Sequence, residues 1–120
     1  MINLAADASS LQVEGEQHVS VYRALLERDG QEQTSRHRRH FCGVCGSHLW
    51  AAHDDWPKLV HPVAGAVDTE LPLPTSRVHL MLGSRASWAK PHLGDDDGQF
   101  QGYPSESIAD YHDAHHWTVP

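Results

Sequence analysis

Apolar and polar positions alternate in short runs along most of the chain, and helical spacing is confined to its end. Leu11-Gln12-Val13-Glu14-Gly15-Glu16 alternates and closes on a glycine, which predicts a short strand. Val19-Ser20-Val21-Tyr22-Arg23-Ala24-Leu25-Leu26 begins with the same period of two and predicts another. Asp29-Gly30 marks a tight hairpin reversal, with Thr34 to Phe41 as the returning strand. Beyond a turn, His48-Leu49-Trp50-Ala51-Ala52 predicts a further strand, broken by Asp54-Asp55-Trp56-Pro57. Lys58 to Ala66 resumes extended structure, and Pro62 within it implies an edge position or a bulge. Leu71-Pro72-Leu73-Pro74 predicts a connecting loop, because proline cannot sit in a helix interior or a central strand. Arg77-Val78-His79-Leu80-Met81-Leu82 predicts the next strand, Ser84 to Trp88 a turn, and Pro91 to Gly98 an acidic loop.

One helix is expected. Ser105 is read as the cap of a segment running through Glu106, Ile108, Ala109, Tyr111, His112, His115 and His116, with Ile108, Tyr111 and His112 on one side. The predicted class is therefore mainly β, with a short terminal helix and tail over residues 105–120. A length of 120 residues suits one domain over residues 1–120.

Composition sharpens this picture in two places. With 39% hydrophobic residues the core is lean, so a metal staple would be useful. A formal charge of −7 argues against nucleic acid as a partner, since phosphates need a basic stripe. The one cationic run, Arg36-His37-Arg38-Arg39-His40, is read as a strand with a solvated face. No stretch approaches the ~20 apolar residues of a membrane span, so no membrane partner is expected. Met1 to Ser10 lacks the basic start and apolar run of a secretory signal, which points to a cytoplasmic protein. There, paired cysteines more often bind metal or carry redox chemistry than form structural disulfides.

The chain's two cysteines, Cys42 and Cys45, lie in Cys42-Gly43-Val44-Cys45-Gly46. Two thiols at this spacing, with glycine past the second, can aim both sulfurs at one tetrahedral Zn²⁺. A thioredoxin-like redox pair is the rival, but it needs its first cysteine at a helix N-terminus, and Gly46 to Trp50 reads as strand. Zinc needs two more donors. A homodimer could supply a second pair of thiols, or His40 and His48, the nearest histidines, could complete the set. His112, His115 and His116 share helical spacing that could hold a metal loosely and are read as a solvated terminus, and His53-Asp54-Asp55 is read as a turn beside Trp56-Pro57 with metal binding as its alternative. Asp95-Asp96-Asp97-Gly98 lacks the alternating ligands of a calcium loop and is read as a solvated turn. Trp50, Trp56, Trp88 and Trp117 are expected in the core or at its rim.

Four segments in order carry a family resemblance. Arg39-His40-Phe41-Cys42-Gly43-Val44-Cys45-Gly46-Ser47-His48-Leu49 resembles the later cysteine motif of the glutathione-dependent formaldehyde-activating enzyme family. Ala64-Gly65-Ala66-Val67-Asp68, then Val78-His79-Leu80 with Ser84-Arg85-Ala86-Ser87-Trp88, and Phe100-Gln101-Gly102-Tyr103-Pro104 resemble its following segments. The resemblance implies an Mss4-like (β-tent) fold containing a zinc ribbon, with zinc as cofactor. It implies carbon–sulfur lyase chemistry that joins formaldehyde to glutathione, and hence glutathione or a small thiol or aldehyde adduct as ligand. In the family an N-terminal C-x-C joins the C-x-x-C at the structural zinc, and another N-terminal cysteine cluster holds a catalytic zinc. Neither N-terminal cluster has a counterpart here, so the domain is expected to be truncated at its N-terminus and its catalytic residues are unassigned. The expected role is a zinc-binding structural or binding module, with the lyase as the alternative.

Overall fold

Alternating sequence becomes sheet where a neighbouring strand completes its backbone hydrogen bonds. The computed structural model describes residues 2–117, and the chain divides into two compact units, Met1–Glu70 and Leu71–Pro120. The first unit holds β1 (Ala6–Asp7), β2 (Val19–Tyr22), β3 (Leu25–Arg28), β4 (Gln31–Thr34), β5 (His37–Cys42), β6 (His48–His53) and β7 (Leu59–Pro62). Five of these form a sheet in the order β1-β7-β6-β5-β2, antiparallel throughout. The other two, β3 and β4, form a separate hairpin. Its two-residue loop has positive φ at both Asp29 (52°) and Gly30 (73°), the conformation that matches the twist of paired strands.

The expected continuous strand over Val19 to Leu26 is divided at Arg23-Ala24. At the break Arg23 binds away from the sheet. Its Nη1 and Nη2 donate to Asp54 Oδ2 (2.7 Å) and Oδ1 (3.2 Å), and Nη1 also reaches the Ser35 carbonyl at 3.2 Å. The expected strand over Leu11 to Glu16 does not form. Its alternating residues instead cross one side of the sheet as irregular chain, then turn at Gly15 (φ 73°) into a single 3₁₀ turn over Glu16–His18. Edge pairing on β7 comes from residues 2–8, through Leu4 N–H to the Pro62 carbonyl (2.9 Å) and Ala8 N–H to the Lys58 carbonyl (2.8 Å). Pro62 is tolerated because it closes β7 and only its carbonyl is needed there.

Among the described residues the buried apolar side chains are Ala51, fully covered, and Val60, 3% exposed. Ala51 stands opposite Arg39 on one flank and His61 on the other, at the centre of the sheet.

The second unit contains β8 (Val78–His79), β9 (Gly98–Gln99) and α1 (Ile108–Ala114). Val78 and His79 pair in parallel with Gly98 and Gln99. The longer strand expected over Arg77 to Leu82 stops because Met81 turns to φ 59° and opens a 3₁₀ turn. The helix is capped by Ser107, not Ser105. Asp110 N–H donates to Ser107 Oγ (3.1 Å) while Asp110 Oδ2 accepts from Ser107 N–H (3.3 Å), a reciprocal capping box. Tyr111 anchors the helix by a 2.7 Å bond between its hydroxyl and that of buried Ser76. The tail beyond Trp117 lies outside the described residues.

Asp97 also departs from the expected solvated turn. Its carboxylate is 3% exposed and accepts from Arg77 N–H (2.7 Å), Gly94 N–H (2.9 Å) and His79 Nε2 (2.9 Å). The Gly94 amide and then the His79 ring hold its pKa down at about 2. Trp88, expected in the core or at its rim, is 83% exposed.

Two outcomes follow for stability. Ala51→Leu should destabilise the first unit by ~1–3 kcal/mol in urea unfolding, because a fully covered site has no room for added methylenes. The Asp97 bonds need the ionised carboxylate, and an unfolded carboxyl titrates near ~3.9. Their contribution should be complete above that pH and should fade as pH falls toward about 2. Amide exchange at Arg77 and Gly94 should accelerate over that interval, and Asp97→Asn should exchange fast throughout.

Candidate metal centre

The cysteines sit where β5 ends. A strand paired on both flanks has a fixed register, so its side chains cannot swap faces. Val19 and Val21 on β2 stand opposite Cys42 and His40 on β5, and His40 stands opposite Trp50 on β6. Cys42 therefore shares the sheet face carrying Val19, Val21, His40 and Trp50.

From Cys42 the chain makes a closed turn. Gly46 N–H donates to the Cys42 carbonyl at 2.7 Å, and Cys42 N–H donates to the Ser47 carbonyl at 2.8 Å. Gly46 takes φ 77°, a conformation that costs a side chain dearly. The turn is also tied sideways to the chain entering β2, through Gly43 N–H to the His18 carbonyl at 2.7 Å. That approach is why position 43 is glycine. A Cβ there would lie 2.8 Å from Ser20 Oγ and 3.2 Å from the His18 carbonyl oxygen.

Both thiols are free, Cys42 half-buried and Cys45 exposed. The Cys45 thiol donates to Ser47 Oγ at 3.2 Å. The Ser47 hydroxyl, then its backbone, then the Cys42 side chain hold the Cys45 pKa below the ordinary thiol range. The turn therefore holds two free thiols in place, of which Cys45 is the one shifted toward the thiolate.

A bulge takes His48 out of register with Cys42. The register shifts between His40 and Phe41, so His40 stays opposite Trp50 while His48 falls opposite Phe41. The His40 ring stacks on Trp50, with centroids 4.7 Å apart and planes at 12°. His48 Nε2 lies 3.2 Å from the Trp50 carbonyl oxygen. Among the described residues, no three histidine, cysteine or acidic side chains gather closely enough to hold a metal ion. The chain's donors thus fit half of a four-ligand zinc site. The remaining half is not assembled from these residues.

Two features were not visible in the sequence. The first is a cleft of about 350 Å³ on the Cys42 face, roofed by Leu11 and Val13 and floored by Val21, Arg38, His40 and Trp50. His40 Nδ1 and Arg38 Nε are buried there without a hydrogen-bond partner, although Arg38 Nε approaches Asp54 Oδ1 at 3.3 Å out of alignment. Burial lowers the His40 pKa, with the Arg38 charge second. Only knowing that residues 11–16 are not a strand would have revealed it. The second is a histidine group on the opposite face. His37 and His53 stand opposite one another with ring centroids 6.2 Å apart, and His53 packs on Trp56 at 4.5 Å. The alternation of the basic run was the available signal, since His37 and His40 must point to opposite sides of a strand. Near the C-terminus, His115 Nδ1 lies 2.8 Å from the Tyr111 carbonyl and its ring packs 4.2 Å from that of Tyr111. That histidine is engaged in local packing.

Comparison with known proteins gives one relative of high similarity. A protein of Halomonas elongata, provisionally named a glutathione-dependent formaldehyde-activating enzyme, is 49% identical over 111 residues, covering 92% of this chain and 68% of its own. No protein-family model matches the chain. No solved structure matches it either, so the Mss4-like assignment has no structural counterpart here.

The exposed thiol with the lowered pKa should be the faster to alkylate in metal-free protein at neutral pH. Mass spectrometry after brief iodoacetamide treatment should find Cys45 modified ahead of Cys42. Ser47→Ala removes the principal cause of the lowered pKa and should slow Cys45 alkylation at pH ~7, with the difference vanishing well above the thiol pKa.

Proposed function

Because the chain belongs to the glutathione-dependent formaldehyde-activating enzyme family, we propose that it is a zinc-binding β module whose Cys42–Cys45 turn is a structural half-site. It acts through binding or architecture, not through the family's carbon–sulfur chemistry. One observation carries this reading: two free thiols stand in a turn fixed by backbone hydrogen bonds, with no third donor gathered beside them among the described residues. A structural zinc is closed by four ligands, whereas a catalytic zinc keeps three protein ligands and an open position. A strand–turn–strand pair of thiolates is half of the closed arrangement. Bound there, zinc would supply cross-linking stability. A reducing, cytosolic setting belongs to the same reading, since it keeps both thiols available.

A second reading is the lyase itself, acting on glutathione or a small thiol–aldehyde adduct. It is favoured by the name of the Halomonas elongata relative and by the cleft on the Cys42 face, which the polar side chains of His40 and Arg38 line. In that case the cleft would seat the adduct, while these side chains orient its polar end.

The two readings separate in one preparation of untagged protein. Zinc analysis is combined with NMR exchange between formaldehyde and its glutathione adduct. The structural reading expects bound zinc and an exchange rate unchanged by protein. Exchange that accelerates in proportion to protein concentration would transfer the conclusion to the lyase. Absence of zinc with both thiols freely titratable would remove the zinc-binding reading.

A further inference from the structure

Four histidines of the first unit stand on the sheet face that does not carry Cys42. His37 lies opposite His53, and in a neighbouring row Arg39, Ala51 and His61 stand side by side across β5, β6 and β7. His48 joins the same face opposite Phe41. We propose that this face is an acid-triggered switch, in which protonation of His37 and His53 releases the turn between β6 and β7 and frees the adjoining end of the β5–β6 ladder.

Hydrogen-bond geometry decides what a proton does at each ring. His53 Nδ1 accepts from Asp55 N–H at 3.1 Å, so in the folded turn that nitrogen carries no hydrogen. A proton placed there converts the acceptor to a donor and expels the amide. Oδ2 of the same aspartate stands 3.6 Å away, while its Oδ1 is held by Arg36. A charged His53 thus exchanges a backbone partner for a side-chain one, and the turn on which Trp56 packs against its ring, with centroids 4.5 Å apart, must rearrange.

His37 has no comparable outlet. Its Nε2 is buried without a hydrogen-bond partner, and the imidazolium would enclose an N–H with no acceptor. The charges that act on it are all cationic when present: Arg39 on its own strand, His53 and His48 on β6, and His61 on β7. Burial is the first cause that lowers its pKa, and these charges lower it further. His61 donates from Nδ1 to the Leu4 carbonyl at 3.1 Å, a bond that survives protonation of the ring.

Placement makes the effect local. The His37–His53 pair closes the ladder at the end remote from the thiols. Just beyond it, Asp54 N–H donates to the Arg36 carbonyl at 3.2 Å and Trp56 N–H to the His53 carbonyl at 3.0 Å. Below the ordinary imidazole pKa of ~6.5 an opened His37 takes up a proton that the closed face refuses. That difference lowers the ratio of closed to open forms about tenfold for each further pH unit, until the depressed pKa of the closed form is reached.

The test is an NMR titration of this chain between pH ~7.5 and ~5.5 in buffer containing EDTA, spanning the ordinary imidazole pKa. It follows the imidazole C–H shifts and the amide protection factors, each corrected for intrinsic exchange. The switch predicts that His37 titrates below ~6.5 and that protection of Asp54, Asp55 and Trp56 falls about tenfold over the last pH unit. The amides of Cys42 and Gly46 at the opposite end should keep theirs. His37→Phe keeps a ring without the titration and should weaken the pH dependence at Asp54 and Trp56. The wild-type titration stays decisive where that variant fails to fold. Titration of His37 at or above ~6.5, turn amides equally protected throughout, or protection lost uniformly across the first unit would each overturn the switch. Zinc uptake by the thiols plays no part in these outcomes, so they leave the zinc-binding reading untouched.

Discussion

Pairing of β5 along both of its flanks is the constraint from which the rest of the first unit follows. Tyr22 through Val19 run against Arg39 through Cys42 on one side, and the β6 residues run against it on the other. A strand held twice cannot slip by one residue, because a slip would invert every side chain. Cys42 is its last residue, so the direction of that sulfur is set by the whole ladder. The turn that follows inherits this rigidity through its bonds to Ser47 and His18. It needs glycine at two positions for two different reasons. Gly46 takes a left-handed φ, and Gly43 stands too close to Ser20 and His18 for a side chain.

The basic run that forms β5 is distributed between both faces of the sheet. Arg38 and His40 line the cleft face, whereas His37 and Arg39 lie on the other, and burial depresses the His37 pKa with the Arg39 charge as the second cause. Neutralisation comes from the loop after β6. Asp54 binds Arg23 at 2.7 Å, and Asp55 lies 2.6 Å from Arg36. Arg23, Arg38 and Arg36 in turn keep the Asp54 carboxylate ionised, the hydrogen bond from Arg23 being the largest effect. These are partly exposed pairs, worth little individually. Their effect is one of placement: Arg23 holds the base of the β3–β4 hairpin next to the end of β6.

Local chemistry made much of this fold legible. Asp29-Gly30 specified its hairpin because few other pairs accept two positive φ values. The run His48 to Ala52 specified β6, and Cys42-Gly43-Val44-Cys45-Gly46 specified its turn, since these patterns depend on neighbours in sequence. Leu11 to Glu16 alternates as a strand should, yet residues 2–8 occupy the β7 edge and β2 pairs with β5, so the segment crosses a face as irregular chain. Alternation records which residues can be half-buried and says nothing of what they are buried against. Arg77 to Leu82 failed for a related reason, because Met81 turns away after only two paired residues. The candidate site divides the same way. The pair of thiols was legible, whereas the bulge that sets His48 opposite Phe41 depends on a cross-strand register that no single segment encodes.

The thin core explains why completion of the metal site would matter so much to this chain. Ala51 and Val60 are the buried apolar side chains among the described residues, far fewer than a domain relying on packing alone would present. Net stabilities of small domains are ~5–15 kcal/mol, and a complete four-ligand structural zinc contributes ~10–16 kcal/mol at neutral pH. Two thiolates alone forgo most of that, because the remaining coordination positions fall to water and the ion exchanges freely. The hydrogen bonds of the turn have a defined part in this scheme. By holding Cys42 and Cys45 in place before metal arrives, they spare the ordering cost that would otherwise be deducted from metal binding.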